Sequence, residues 1–210
     1  SVSPKHRRTR QTRYQSKMTT DLQRVNVKLY LENEASLSAD IAFRIFNRWI
    51  AETDDEVLID VADYSHIANG PQTLLVGHES DYSLDSTDGR LGLKYGRKRP
   101  SEGDTKQRLR AALTAALTAC QRLEEAPEVE GRVRFRGAEL QLSVQDRLGT
   151  PNSEQSLLAL REDLMTVLSQ VYGNAKIELH RNEDDRQCLT LQIVVDGSFA
   201  VASMKQALAA

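Results

Sequence analysis

Between Glu56 and Arg99 the chain gathers side chains of the types that do chemistry: Asp60, Asp63, Tyr64, His66, His78, Glu79, Asp81 and Tyr82. Two of its four histidines fall here. Asp60, Asp63 and His66 follow one another at spacings of three, and His78 with Asp81 repeats that spacing. Carboxylate oxygens and imidazoles at such positions suit Mn, Fe or Zn, with Asp63, His66 and His78 as the metal candidates. Strand side chains alternate, so Asp60 and Asp63 point to opposite faces while a strand continues, and a turn near Tyr64 is needed to bring the set together. The competing reading makes these residues strand-end and turn groups that hydrogen-bond locally. The metalloprotease pattern H-E-x-x-H is absent.

Acid–base catalysis is the second chemistry, with His78, Asp81 and Asp60 as the candidate residues. His78 falls in register with Leu74 and Val76, which predicts a partly buried imidazole with Asp60 or Glu79 as partner. A satisfied core histidine fits the same pattern. Nucleophilic catalysis has less support, because there is no G-x-S-x-G and Cys120 and Cys188 both sit in apolar patterns. Gly89, Gly92 and Gly96 have the wrong spacing for a phosphate or dinucleotide loop, so the cofactor is left open.

Anion binding is the third. Lys94, Arg97, Lys98 and Arg99 lead into a helix start near Asp104, where basic side chains can hold a phosphate. Arg132, Arg134 and Arg136 alternate with Val133 and Phe135 and so project from one strand face. Arg97, Lys98, Arg99 and Arg134 are the anion-binding candidates. Glu102 and Asp104 compete for the same donors, and cross-strand pairing of the second set with Glu130, Glu139 or Glu178 is the alternative.

The elements that must hold these groups read as follows. Val25, Val27, Leu29 and Leu31 alternate with polar residues, which predicts a half-buried strand. Ser38 caps a helix whose stripe is Ile41, Ala42, Ile45, Phe46, Trp49 and Ile50. Trp49, the single tryptophan, lies on the buried side, where it packs in the core or stacks on a ligand. Val57 to Val61 is apolar on both faces and predicts a central strand. A further strand runs from Thr73 to about Asp81. Asp88-Gly89 marks a hairpin into Leu91, Leu93 and Tyr95, and Gly92 and Gly96 mark a bulge or the close approach of another backbone. Asp104 with Gln107 forms a capping box for a helix with the stripe Leu109, Leu113, Ala116, Leu117, Cys120 and Leu123. Val133 with Phe135, and Leu140 to Val144, read as two strands. Asn152 or Ser153 caps a third helix that Gly173-Asn174 ends, and two strands follow around Ile177 and Leu189 to Val195. Residues 198–210 read as a weakly ordered segment.

This order predicts an α+β domain over 21–197, with a largely antiparallel sheet of about eight strands and three helices on one face. Residues 25–85 and 139–195 both read β-α-β-β, a faint internal repeat.

Charge divides the chain. Six of the 28 basic residues (Lys5, Arg7, Arg8, Arg10, Arg13 and Lys17) precede Met18, leaving 22 against 30 acids, so the body carries −8 behind the whole-chain −2. Residues 1–20 are expected to be a disordered basic tail that makes weak nucleic-acid contact through residues 5–17; an upstream extension of an ordinary start at Met18 is the plainer alternative. Two unpaired cysteines predict a cytoplasmic protein. No apolar run reaches the ~20 residues of a membrane helix.

The segments DEVLIDVADYSHIANGP, LLVGHESDYSLD and GRLGLKYGRKR together resemble an uncharacterised bacterial protein family. The resemblance covers most of the chain after Met18 and carries no activity, cofactor or catalytic residue with it. The reading that follows is a cytoplasmic, non-catalytic binding or interaction protein that self-associates. The alternatives are a metal-assisted hydrolase around Asp60, Asp63, His66, His78 and Asp81, and a nucleic-acid-associated protein using the tail.

Overall fold

A computed structural model describes residues 22–210. The expected basic tail and its nucleic-acid contact fall outside the described residues. Eight strands form one antiparallel sheet: β1 (Val25–Leu31), β2 (Leu58–Asp63), β3 (Pro71–Gly77), β4 (Ser80–Asp85), β5 (Gly92–Arg97), β6 (Phe135–Val144), β7 (Ile177–Arg181) and β8 (Leu189–Val195). Their spatial order is β2-β3-β4-β5-β1-β6-β8-β7. The α+β architecture predicted from the pattern is therefore the one observed.

Four helices, one more than the sequence predicts, cover one face: α1 (Ala39–Glu52), α2 (Thr105–Glu124), α3 (Glu154–Tyr172) and α4 (Val201–Ala209). The first three start where the capping residues stand. Ser38 Oγ accepts from Ile41 N, Asp104 and Gln107 satisfy each other's backbone N–H groups, and Ser153 Oγ accepts from Ser156 N. The fourth helix corrects the expectation for residues 198–210. Val201, Met204 and Leu208 bury one side of it, a stripe too short to stand out in sequence. α1 lies on β2 and β3, α2 on β5 and β1, and α4 on β6, with α3 against α2 and α4.

Three strand assignments change. Val57 to Val61 belongs to an edge strand, with Val57 and Ile59 exposed, because the apolar run faces solvent rather than a second helix layer. The strand expected from Thr73 to Asp81 is two strands joined by a tight turn at His78-Glu79. Val133 to Val144 holds one long strand rather than two. The two β-α-β-β stretches are not equivalent in space, since β4 and β5 separate β3 from β1.

The register sorts the side chains. Val61, Leu75, Tyr82, Tyr95, Val27, Leu142 and Leu191 form one row beneath the helices. Ser83, Lys94, Lys28, Gln141 and Gln192 form the corresponding row on the uncovered face. That face is polar yet its centre is buried, because the β4–β5 loop folds across it. Lys28, 1% exposed, donates to Asp85 (3.1 Å), Asp88 (2.5 Å) and the Arg90 carbonyl (2.8 Å). Tyr30 donates to Asp88 at 2.7 Å, and the Arg90 guanidinium lies 3.9 Å over the Tyr30 ring. Gly92 permits this crossing: a Cβ there would run into the Leu29 carbonyl and the Lys28 stem.

Candidate functional site

The sequence candidates do not converge. In the β2–β3 register Asp63 faces Thr73, which puts it five residues, about 17 Å, from His78. His66 is exposed in the β2–β3 loop beside Asp63, where the Ser65 hydroxyl and then its backbone N–H hold the Asp63 carboxyl below its ordinary range. Asp60 and Asp81 share a row but stand on strands separated by β3. Among the described residues no group of three His, Cys, Asp or Glu side chains is placed to hold a metal ion.

Asp60 and Asp63 have a different occupation. β2 is an edge, and the Tyr64 N–H turns inward to Gln72, so alternation turns the Val61 N–H outward. Asp60 Oδ1 accepts that N–H at 2.8 Å, and Asp63 Oδ1 accepts the Ser65 N–H at 2.8 Å. The Asp60 carboxylate therefore covers an outward N–H of the exposed edge, while Asp63 closes the turn that follows β2. His78 is exposed in its turn, 3.5 Å from Glu79, and not packed against Leu74 or Val76 as the pattern predicts. The β3 side chains that face the core are Thr73 and Leu75, one position out of phase with that expectation.

The anion set is also divided. Arg97 pairs with Glu79 at 2.6 Å, and Lys98 with Asp81 at 2.8 Å. Arg99 is exposed beside them. Arg134 lies at the far end of β1, where its backbone meets Glu32 and its guanidinium donates to the Val133 carbonyl at 2.7 Å. Of the expected cross-strand pairs, Arg132 with Glu130 forms, at 3.6 Å, within one loop rather than across strands.

Two of the concavities among the described residues are large enough to hold a ligand. One is a depression of about 550 Å³ on the uncovered sheet face, at Asn26, Asp81, Ser83, Lys94 and Lys98. Two of its cations are matched, Lys98 by Asp81 and Lys94 by Asp85 at 3.9 Å, and Arg24 stands at its border. Burial alone would raise the Asp85 carboxyl, but the charges of Lys94 and Lys28 and hydrogen bonds from Thr87 and Lys28 outweigh it and hold it below its ordinary range.

The other is a cleft of about 1000 Å³ on the helix face. It arises because α1 stands over β2 and β3 and α2 over β5 and β1, which leaves β4 between them. Tyr82 of β4 and Tyr95 of β5 form its floor, their rings 5.5 Å apart, and Trp49 of α1 meets Tyr82 edge-on at 6.5 Å. At one end Glu56 accepts hydrogen bonds from the Ser80 hydroxyl and from Tyr82 Oη (2.7 Å). Burial, and then the hydrogen bond and charge of Glu56, push the Tyr82 phenol well above its ordinary value; burial likewise raises Tyr95. Both floor phenols are neutral at pH 7.

The opposite wall is α2. Lys106, Arg110, Thr114, Thr118 and Arg122 recur at i, i+4 as one ridge, about 24 Å long, flanked by Ala111, Ala115 and Ala119. Small side chains on this flank keep the cleft open. The Arg122 guanidinium lies 4.6 Å over the Trp49 ring and donates to Thr53 Oγ1 at 2.8 Å. Of the sequence candidates, His78 and Arg97 line this cleft. Tyr82 belongs to the polar set first singled out, and Trp49 was marked for core packing or stacking. Glu56, Ser80 and the α2 ridge were missed. Their signal was the ridge itself, polar and small residues at strict i, i+4 spacing on a helix otherwise read for its leucines.

Chemically the cleft offers aromatic faces, neutral phenols and cationic donors. The chain matches no protein-family model and no curated protein.

Proposed function

We propose that this is a non-catalytic binding protein whose ligand, a small organic molecule, occupies the cleft between α1 and α2. The observation that carries the reading is the cleft's size with an aromatic floor, a combination that ligand sites share. Support for a non-catalytic role comes from the floor's polar groups: Glu56, Ser80 and Tyr82 are bound to one another, and the nearest imidazole, His78, is exposed at the rim. A cytoplasmic location is part of the proposal, since Cys120 and Cys188 are both free. Self-association draws support from exposed Val57 and Ile59 beside the β2 edge and is opposed by Asp60, whose carboxylate covers an N–H of that edge. Among the described residues no helix is long and apolar enough to cross a membrane.

The test is a titration with the neutral fluorophore N-phenyl-1-naphthylamine, read by quenching of Trp49. Saturable binding of one probe per chain is expected, weakened at least about tenfold by Ala115→Phe, which fills the cleft. Binding that this variant leaves unchanged would place the ligand elsewhere.

A further inference from the structure

The unmatched polar groups of the cleft are cationic or hydrogen-bond donors. Trp49 is 2% exposed, and its indole Nε1–H is buried with no hydrogen-bond partner among the described residues. Buried to that degree, the indole N–H is out of a ligand's reach, so recognition falls to the ridge of α2. Arg122, stacked on the same indole, spends one nitrogen on the neutral Thr53 hydroxyl and shares Glu52 (3.3 Å) with Arg48. Along the ridge, Arg110 meets the neutral Gln170 at 2.5 Å, and no ion pair of Lys106 is found among the described residues. The acids of the cleft are engaged instead. Glu56 is held by Ser80 and Tyr82, Glu79 is held by Arg97, and Asp55 is exposed at the mouth.

We infer that the cleft selects an aromatic acid: ring toward Tyr82 and Tyr95, and a carboxylate, sulfonate or phosphate directed to the α2 wall, where Lys106 and Arg110, one helical turn apart, donate. This rests on the proposed binding function and adds the class of ligand. The floor favours an apolar aromatic body because Tyr82 and Tyr95 line it with uncharged aromatic rings. The wall favours an anion because charge-assisted hydrogen bonds from guanidinium and ammonium are the strong ones, and this wall lacks opposing carboxylates of its own.

Two probes that differ by one group decide the matter. 8-Anilinonaphthalene-1-sulfonate is N-phenyl-1-naphthylamine carrying a sulfonate. Both are titrated into the full chain at pH 7 and low salt, with Trp49 emission and probe emission read together. The expected result is that the sulfonate binds at least about tenfold more tightly, the value of one charge-assisted hydrogen bond. That ratio should fall to about twofold or less in Arg110→Gln with Lys106→Gln, recover in Arg110→Lys with Lys106 intact, and shrink as salt rises. Unfolding curves of the variants check that they fold. Equal affinities in the unaltered protein, with both probes still excluded by Ala115→Phe, would overturn the anion preference and leave the cleft as a site for neutral molecules. If neither probe binds, or Ala115→Phe changes nothing for either, the cleft reading falls and this inference with it.

Discussion

Replacing Lys28 by Met tests what holds the β4–β5 loop over the sheet. The side chain is 1% exposed, and its ammonium lies within hydrogen-bonding distance of Asp85, Asp88 and the Arg90 carbonyl. Methionine keeps most of the stem volume, so packing changes little and the cost is electrostatic. Asp85, its side chain 5% exposed, would keep Lys94 at 3.9 Å as its nearest cation, while Asp88, 29% exposed, can turn to water. Breaking a buried pair by removing one partner costs about 3–5 kcal/mol, and the partial escape of Asp88 places the expectation near ~3 kcal/mol at pH 7. The assay is urea unfolding followed by circular dichroism and Trp49 emission, with the midpoint falling and the slope unchanged. At pH 3.5 the loss should shrink, because the stranded carboxylates protonate. Adding Asp85→Leu to Lys28→Met should return part of the loss, since replacing a buried pair by apolar groups is close to neutral. A loss below about 1 kcal/mol at pH 7, or an equal loss at both pH values, would refute the idea that this ammonium anchors the loop.

Two further outcomes are expected. Asp85, Asp88 and Glu139 are all held below their ordinary values; burial opposes the shift in each, but for Asp85 the charges of Lys94 and Lys28, for Asp88 the bonds from Lys28 and Tyr30, and for Glu139 the bond from Arg90 prevail. Carboxyls with depressed folded values add stability that is present above their unfolded pKa near ~4 and is lost as pH falls through the folded values, so thermal midpoints should be level from about pH 7 to 5 and drop below about pH 4; a midpoint level down to pH 3 would contradict the pairing. Asp60→Ala exposes the outward Val61 N–H of β2 and should raise concentration-dependent association in sedimentation, whereas a variant as monodisperse as its parent would show that this carboxylate does not guard the edge.

What the sequence made legible was local. Ser38, Asp104 with Gln107, and Gly173 mark helix ends because each acts on backbone groups within three or four residues. Gly92 was readable as a close approach because only a missing Cβ permits one, although the carbonyl it meets belongs to Leu29, far along the chain. The run from Val57 to Val61 misled because apolar composition reports burial, not position in the sheet, and here the strand closes an edge. The His78-Glu79 turn was passed over because its one glycine, Gly77, stands at the end of an apolar run and its two central residues carry no turn signal, and reading through it placed His78 on the wrong side of a strand. Arg97 and Lys98 looked like an anion site because their partners, Glu79 and Asp81, are brought to them only by the β4–β5 pairing.

The cleft was the least legible feature because no single segment encodes it. Its floor comes from β4 and β5, one wall from the C-terminal turn of α1, and the other from the flank of α2, each with an ordinary local reason to exist. The opening follows from coverage: α1 and α2 each sit over a strand pair and leave β4 between them, and alanines at 111, 115 and 119 keep the α2 flank from filling the space. Leucine at those alanine positions would bury more apolar surface, ~0.8 kcal/mol for each methylene, and seal Trp49 from the outside. A fold shaped by stability alone would gain from that substitution. The small residues and the cationic ridge of α2, and the buried indole donor without a partner on α1 opposite, are three separate departures from the most stable packing, and all three border one cleft. Departures of this kind persist where a site needs them, and their convergence is the physical ground for placing the function there rather than among the carboxylates and histidines of the β2–β4 edge.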